Sequence, residues 1–430
     1  VNKKASIIAT LSVLLLNVPA WGQETNSYSE NYNWSKRPVD AAYDPGLRVY
    51  APARPNTSGK TDAVLKAGPL QMRSDVGTRL SYDDNIALSE RNRRDDIIIT
   101  PYANLGFQWP LTDVNSLNLT LGIYRDFYLF NPGEGTEAIG ISPKSALEFW
   151  IYAGEHVRFV LFDHFALEDD SIDEPTLNDT LGFYRFTNTA GITGYWDVNE
   201  SITLSLGYRY HKVISLADRF DFLDRDTHSV DTSLSYKLGP DTVVGGFANT
   251  GWTFFDTGVN NDSMVSTVGV FGETRITDYV RGNASISYTL GDFDDGGSNG
   301  DGSGLNEFSI NGILSHRLNQ VMSHSVGAGR ATRLGTTSNF YTTYYARHSA
   351  DWEVVRDLSI GTNLFFEFTD ESNSLNSEHF IRWGGGIRAM YRVNSNLTTG
   401  INYQYAEKDS NRANRDYFNN RVSLDVNYRF

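Results

Sequence analysis

The chain has 430 residues, 37 basic against 52 acidic side chains, a net charge of −15, no Cys, and 13% aromatic residues. Without Cys there is no disulfide scaffold, thiolate metal site or cysteine nucleophile, and an acidic chain of pI near 5.0 lacks the basic face that nucleic acid requires. Mean hydropathy is −0.38, and beyond residue 22 no apolar run approaches the ~20 residues of a membrane helix.

Lys3 and Lys4 precede an apolar stretch from Ala5 to Val18, and Pro19-Ala20-Trp21-Gly22 follows with small residues at the positions a signal peptidase reads. Residues 1–22 therefore read as a secretory signal peptide, and cleavage after Gly22 leaves a still more acidic chain. Residues 23–70 are polar, contain Pro38, Pro45, Pro52, Pro55 and Pro69, and show no sustained period. They are expected to form a polar N-terminal arm or a plug.

From about residue 71 to 430 the chain alternates. In Ile202–Tyr210, Ile202, Leu204, Leu206, Tyr208 and Tyr210 share one face and Thr203, Ser205, Gly207 and Arg209 the other. The pattern recurs at Leu117/Leu119/Leu121/Ile123, Leu358/Ile360/Leu364/Phe366, Ile381/Trp383/Ile387/Tyr391 and Val422/Leu424/Val426/Tyr428/Phe430. Period two over nine or more residues is a strand with two unlike faces, long enough to cross a bilayer at a tilt.

Short polar breaks centre near Asp113, Glu155, Val198, Gly239, Asp278, Asn319, Arg356 and Ser395, at intervals of 37–43 residues. Between them lie longer breaks at 83–96, 131–142, 168–181, 214–227, 256–262, 291–305, 332–339, 370–378 and 407–416. Eight short turns and nine long loops join eighteen strands. The expected fold is all-β: a transmembrane antiparallel up-and-down β-barrel over 71–430, with sixteen strands if 241–255 and 262–277 fold differently. A propeller of four-stranded blades would need four short strands per period rather than two long ones.

Aromatic residues fall at strand ends. Trp109, Trp196, Trp352 and Tyr391 mark one rim; Tyr82, Tyr210, Phe254, Tyr288, Phe368, Tyr405 and Phe418 mark the other, as interfacial girdles require. The chain ends in an alternating strand closed by Phe430, which resembles the signal read by the outer-membrane barrel assembly machinery. Spanning strands must close on themselves because every backbone group in hydrocarbon needs a partner. At eighteen strands the interior is too wide for side chains to fill.

Tyr82-Asp83-Asp84-Asn85-Ile86, following Val76-Gly77-Thr78-Arg79-Leu80, resembles the first-strand segment of a broad family of outer-membrane β-barrel porins of Gram-negative bacteria. The resemblance covers roughly residues 70–430. It implies a porin-like barrel in the bacterial outer membrane, some relatives resembling barrels encoded with exopolysaccharide systems, and it carries over no set of binding residues.

The chemistry must come from the inward face. Opposite the apolar sets stand Arg209, Asp231, Lys237, Arg281, Arg317, Glu367, Arg382, Arg388, Arg421, Asp425 and Arg429. An Arg or Lys facing lipid at mid-depth costs ~2–4 kcal/mol, so these side chains are expected to line the pore. Two readings of this set are open: an Arg-rich lumen favouring anionic or hydroxyl-rich solutes, or a salt-bridge network that stiffens the wall. Gly384-Gly385-Gly386, between Arg382 and Arg388, could widen the bore or mark a bulge. The acidic runs Glu168–Glu174 and Asp292–Asp295 lack the spacing of a calcium loop and read as solvated loops. His316 and His324, with Ser315, Ser323 and Ser325 beside them, would need a third orienting group to act catalytically. No catalytic set, metal site or cofactor is expected.

The expected function is an outer-membrane porin passing small hydrophilic solutes by passive diffusion, in contact with outer-membrane lipid and lipopolysaccharide. An exopolysaccharide export or assembly barrel and an outer-membrane hydrolase are the alternatives. Transported solute and oligomeric state are not legible at this level.

Overall fold

The structure, a computed structural model, describes residues 65–132, 139–169, 176, 177, 179–181, 183–375 and 377–430. The signal-peptide reading and that of the arm up to residue 64 lie outside the described residues.

Twenty-one strands form one antiparallel sheet. They are β1 (Leu65–Ala67), β2 (Leu70–Asp83), β3 (Asp96–Pro110), β4 (Ser116–Tyr124), β5 (Phe127–Tyr128), β6 (Gly140–Ile141), β7 (Ala146–Tyr152), β8 (Val157–Asp169), β9 (Tyr184–Asp197), β10 (Ile202–Ser215) and β11 (Arg225–Gly239). There follow β12 (Thr242–Phe255), β13 (Ser263–Arg275), β14 (Val280–Phe293), β15 (Leu305–Arg317), β16 (Met322–Leu334), β17 (Phe340–Val355), β18 (Leu358–Glu371), β19 (His379–Arg392), β20 (Leu397–Ser410) and β21 (Tyr417–Arg429).

β21 pairs back onto β2 from Asp75↔Arg429 to Asp83↔Arg421, which closes the sheet. β1 is a short hairpin arm on β2, and β5 and β6 are fragments that complete the wall beside β3 and β8. Eighteen strands make up the closed barrel among the described residues. The segments 241–255 and 262–277 are ordinary members of the wall, so the sixteen-strand alternative falls away.

The short turns share a chemical solution. Asn199 Oδ1 accepts the Ser201 and Ile202 amides, both at 2.9 Å, and Asn394 Oδ1 accepts those of Asn396 and Leu397 at 2.8 and 2.9 Å. Thr112 Oγ1 and Thr277 Oγ1 do the same for Asn115 and Val280, at 2.9 and 3.0 Å. A side-chain oxygen two or three residues ahead of an amide folds the chain back without a glycine. This accounts for the recurring Asp-Val-Asn and Arg-Val-Asn runs.

Parity then sorts the side chains. Leu206, Leu234, Val268, Val270, Ile286, Ile310, Leu364, Ile387 and Ile401 are exposed on the outward face. The inward face carries hydroxyls that bond across strands: Thr227 to Thr253 (3.0 Å), Thr267 to Thr289 (3.0 Å) and Thr343 to Thr369 (2.9 Å). In a soluble protein the first set would be an aggregation-prone surface; in a bilayer it is the hydrocarbon belt. Trp196, Trp352 and Tyr391 are exposed on it at the turn rim, and Tyr82, Phe254 and Phe368 at the loop rim.

Gly384–Gly386 is not a bulge. β18 and β19 stay in register through Asn363↔Gly386, Leu364↔Gly385 and Phe365↔Gly384, and β19 and β20 likewise. A Cβ on Gly384 would sit 2.2 Å from the Tyr405 carbonyl and 2.9 Å from the Phe365 ring. The glycine makes room for Phe365 to lie flat on the inner wall.

Candidate functional site

All eleven sequence-predicted charges lie on the inward side by strand parity, and most meet partners on neighbouring strands. Arg209 Nε stands 3.0 Å from Asp231 Oδ1 between β10 and β11. Glu367 on β18 takes Arg382 from β19 (2.6 Å) and Arg347 from β17 (3.0 Å); Arg382 and Glu367 are 0% and 1% exposed. Arg388 pairs with Asp351 at 2.7 Å, and Arg421 with Asp83 at 2.7 Å across the closing seam. Asp425 accepts the Tyr102 hydroxyl at 3.0 Å and lies 3.6 Å from Arg79. The sequence list lacked Arg79, Arg347, Asp351 and Asp83, each of which pairs with one of its members. These pairs link strands of the wall across one or two positions in the ring.

The turn rim differs. Lys237, Arg281 and Arg317, at the turn-rim ends of β11, β14 and β15, are exposed. Arg275 at the end of β13 is held by Asp241 at 2.5 Å. Arg429 lies half-buried near the end of β21. The inward face at this end therefore offers accessible cationic groups, whereas the cations above it are committed to carboxylates.

At the loop rim, loops pack against the inner wall and bond to one another. Asp83 accepts the Asn85 amide (2.9 Å) and the Asn419 side-chain amide (2.5 Å), and Asp84 accepts the Asn420 backbone and side-chain amides, both at 2.7 Å. Asn85 donates to the carbonyls of Ser89 and Phe418, both at 2.9 Å, and accepts the Ser89 amide. This pins the β2–β3 loop inward, with Leu88 at φ +53° and 2% exposed. Its side chain packs on Phe365, Ala406 and Tyr417, all inward-facing on β18, β20 and β21. The Tyr82–Ile86 segment thus braces the β2–β3 loop against β21.

Other loops join it. The Thr180 amide donates to the Ala87 carbonyl (3.0 Å), and Ser89 Oγ to Asp179 (2.5 Å). Thr176 Oγ1 lies 2.9 Å from Thr336 Oγ1, both side chains being buried. The β8–β9 loop and the β16–β17 loop lie on opposite sides of the strand order, so this bond crosses the mouth. Asn260 donates to the carbonyls of Phe222 (3.0 Å) and Thr336 (3.1 Å), and Asp301 accepts the Asn339 amide (2.8 Å) and the Ser372 hydroxyl (2.5 Å). Glu378, fully buried, binds Lys408 (2.7 Å) and Arg415 (2.8 Å) and ties the β18–β19 and β20–β21 loops together. Sequence reading missed this knot; its local signal was the apolar Ile86-Ala87-Leu88 triplet inside a polar loop.

His316 and His324 do meet, with Nδ1 to Nε2 at 3.2 Å, and the His348 ring lies 5.7 Å from that of His324. All three share the outward face with Leu314 and Val326, while Ser315, Ser323 and Ser325 point inward. A Ser–His couple is excluded there by parity. The acidic run at 168–174 falls largely outside the described residues. Among the described residues no group of three or more His or carboxylate side chains is arranged around a metal position.

No protein-family model matches the chain, and comparison with curated proteins finds no match. Among solved structures, a BenF-like porin from Pseudomonas fluorescens superposes with a TM-score of 0.50 at 11% identity, over 84% of this chain and 99% of that one. OpdK from Pseudomonas aeruginosa gives 0.48 at 11% over 84% and 99%, and OccAB3 from Acinetobacter baumannii 0.47 at 12% over 84% and 99%. The likeness to the BenF-like porin is one of fold. With the outward apolar belt and its two aromatic rims, it identifies the chain as a transmembrane β-barrel of the bacterial outer-membrane kind.

Proposed function

We propose that this barrel is a porin, a channel rather than an enzyme, through which small hydrophilic solutes diffuse passively across the outer membrane. The observation that carries the reading is the division of the inward face: a hydroxyl- and ion-pair-lined wall beneath a mouth crossed by bonded loops, as at Thr176–Thr336. A wide polar bore alone would pass solutes with little choice. Loops folded over it limit size, and charges around a bore bias the sign of what passes. Lys237, Arg281 and Arg317 at the turn rim give a mild preference for anionic solutes, while the paired charges above them contribute rigidity. The eleven predicted residues thus line the pore in two roles. Residues 1–22 are read as the export signal and residues 23–70 as an arm or a plug, the deletion below deciding between the two.

Single-channel recording of the refolded barrel in planar bilayers, with and without residues 23–64 and under asymmetric salt, tests this. Stable open steps with an anion-directed reversal potential are expected, and larger steps without the arm. Barrels that are folded yet silent in both forms would overturn passive diffusion.

A further inference from the structure

β15 and β16 are paired from Arg317↔Ser323 up to Ile310↔Arg330, and there the ladder stops. Both strands continue towards the loop rim on their other partners. Leu305–Ser309 stay on β14 through Leu305↔Gly291 and Ser309↔Ser287, and Ala331–Leu334 stay on β17 through Ala331↔Thr343 and Leu334↔Phe340. The wall is therefore split for its upper third between two strands that are each otherwise well held.

Side-chain parity says where the upper β16–β17 hairpin goes. Val326, Tyr344 and Trp352 are exposed on the outward face, so Thr332, Leu334, Phe340 and Thr342 would face lipid had the hairpin stayed in the wall. Instead Thr332, Leu334 and Thr342 are buried against residues that face inward on β13–β15. Leu334 packs with Val265 and Leu305, Phe340 lies 6.0 Å from Phe293 between ring centroids, and Thr342 Oγ1 donates to Glu307 at 3.1 Å. The hairpin end has stepped inside the barrel and overlaps the inner face of its neighbours.

On the outer side the split is bridged by one side chain. The Arg330 guanidinium donates to the Phe308 carbonyl, to the Glu307 carboxylate and, at 2.9 Å, to the Tyr344 hydroxyl. Tyr288 stacks on Phe308 at 4.7 Å, and Tyr344 lies 6.2 Å from Phe368, which sets this bridge at the level of the loop-rim aromatic girdle. From β8 to β15 and from β16 to β21 the ladders run nearly the length of each pair, as hydrocarbon demands. Here the Arg330–Glu307 ion pair, side-chain bonds from Arg330 to the Phe308 carbonyl and from Thr342 to Glu307, and an apolar overlap replace the ladder, and all of these can separate without breaking backbone pairing.

We infer that this split is a lateral port by which an amphiphile with one apolar chain and an anionic head passes between the mouth and the outer leaflet. The head would exchange with Glu307 for the Arg330 guanidinium, and the chain would occupy the Val265–Leu305–Leu334 cluster. The inference rests on the membrane-barrel reading and is independent of passive diffusion.

The chain has no Cys, so a staple can be installed cleanly at Ser309→Cys with Ala331→Cys, the first positions beyond the last registered pair. The probe is a palmitate carrying a diazirine on its chain, photolysed with the full-length barrel in nanodiscs and mapped by mass spectrometry. Labelling of Leu305 and Leu334 is expected in the reduced protein, lost on oxidation, and raised in Glu307→Gln. Labelling of the outward Ile310 serves as the control and stays constant, and the matching alcohol labels the inner cluster less. Inner labelling that survives the staple would mean the chain arrives through the mouth. Its absence in both the reduced protein and Glu307→Gln would also overturn the port. Ion conductance of the same samples is read separately, so failure of the port and failure of the channel are distinguishable.

Discussion

Leu88 is the most exacting test of the braced mouth. It is 2% exposed, contacts Phe365, Ala406 and Tyr417, and is held at φ +53°. A leucine pays ~1–2 kcal/mol for the left-handed region, so its side-chain burial has to exceed that for the loop to dock. Truncation to alanine removes about 2.5 kcal/mol of burial while keeping the backbone strain. At tenfold per 1.4 kcal/mol, the undocked population rises about 60-fold. Truncation to glycine removes the same contacts but relieves about 1 kcal/mol of strain, leaving a rise of about tenfold. The assay is amide hydrogen exchange at Ser89, which donates to Asn85 Oδ1, and at Thr180, which donates to the Ala87 carbonyl. Both report local opening of the loop rather than of the barrel. Exchange ranked Leu88→Ala above Leu88→Gly above the parent is expected at both amides. Glycine exchanging faster than alanine would refute the strain argument, and no change at Thr180 would refute the coupling between the two loops.

Glu367→Gln leaves Arg382 fully buried without its carboxylate and should cost ~3–5 kcal/mol, read as a lower urea midpoint for barrel unfolding. Replacing Lys237, Arg281 and Arg317 together with Gln should move the reversal potential towards cation selectivity without altering that midpoint, because none of the three is buried. Asn199→Ala removes two acceptor bonds in one turn and should destabilise the β9–β10 hairpin by about 1–2 kcal/mol, seen as faster exchange of the Ile202 amide.

The wall was legible because two local rules generate it. Period two reports a sheet whose faces meet different solvents, and each strand states its own parity without reference to any other. The turns repeat because the same Asn or Thr oxygen solves the same problem at Thr112, Asn199, Thr277 and Asn394. Even the stagger of the aromatic rims follows, since Trp196, Trp352 and Tyr391 each end a strand whose inner and outer residues were already sorted. The bulge reading of the glycine run at 384–386 failed for the complementary reason. The run's purpose lies on the neighbouring strand, where Phe365 needs the space.

The mouth was not legible because it depends on pairings between loops far apart in sequence. Thr176 meets Thr336, and Asp83 meets Arg421, through closure of the whole ring. Neither residue carries a local signature of its partner. The same holds for the lumen charges: counting Arg against Asp and Glu on unambiguous strands left out Asp351 and Arg347, whose partners are two strands or one strand away. Charge sign along a strand therefore says which face a residue takes, while the field inside the bore depends on which carboxylate each cation reaches. Among the predicted cations, Arg209, Arg382, Arg388 and Arg421 reach carboxylates, while Lys237, Arg281 and Arg317 at the turns are exposed.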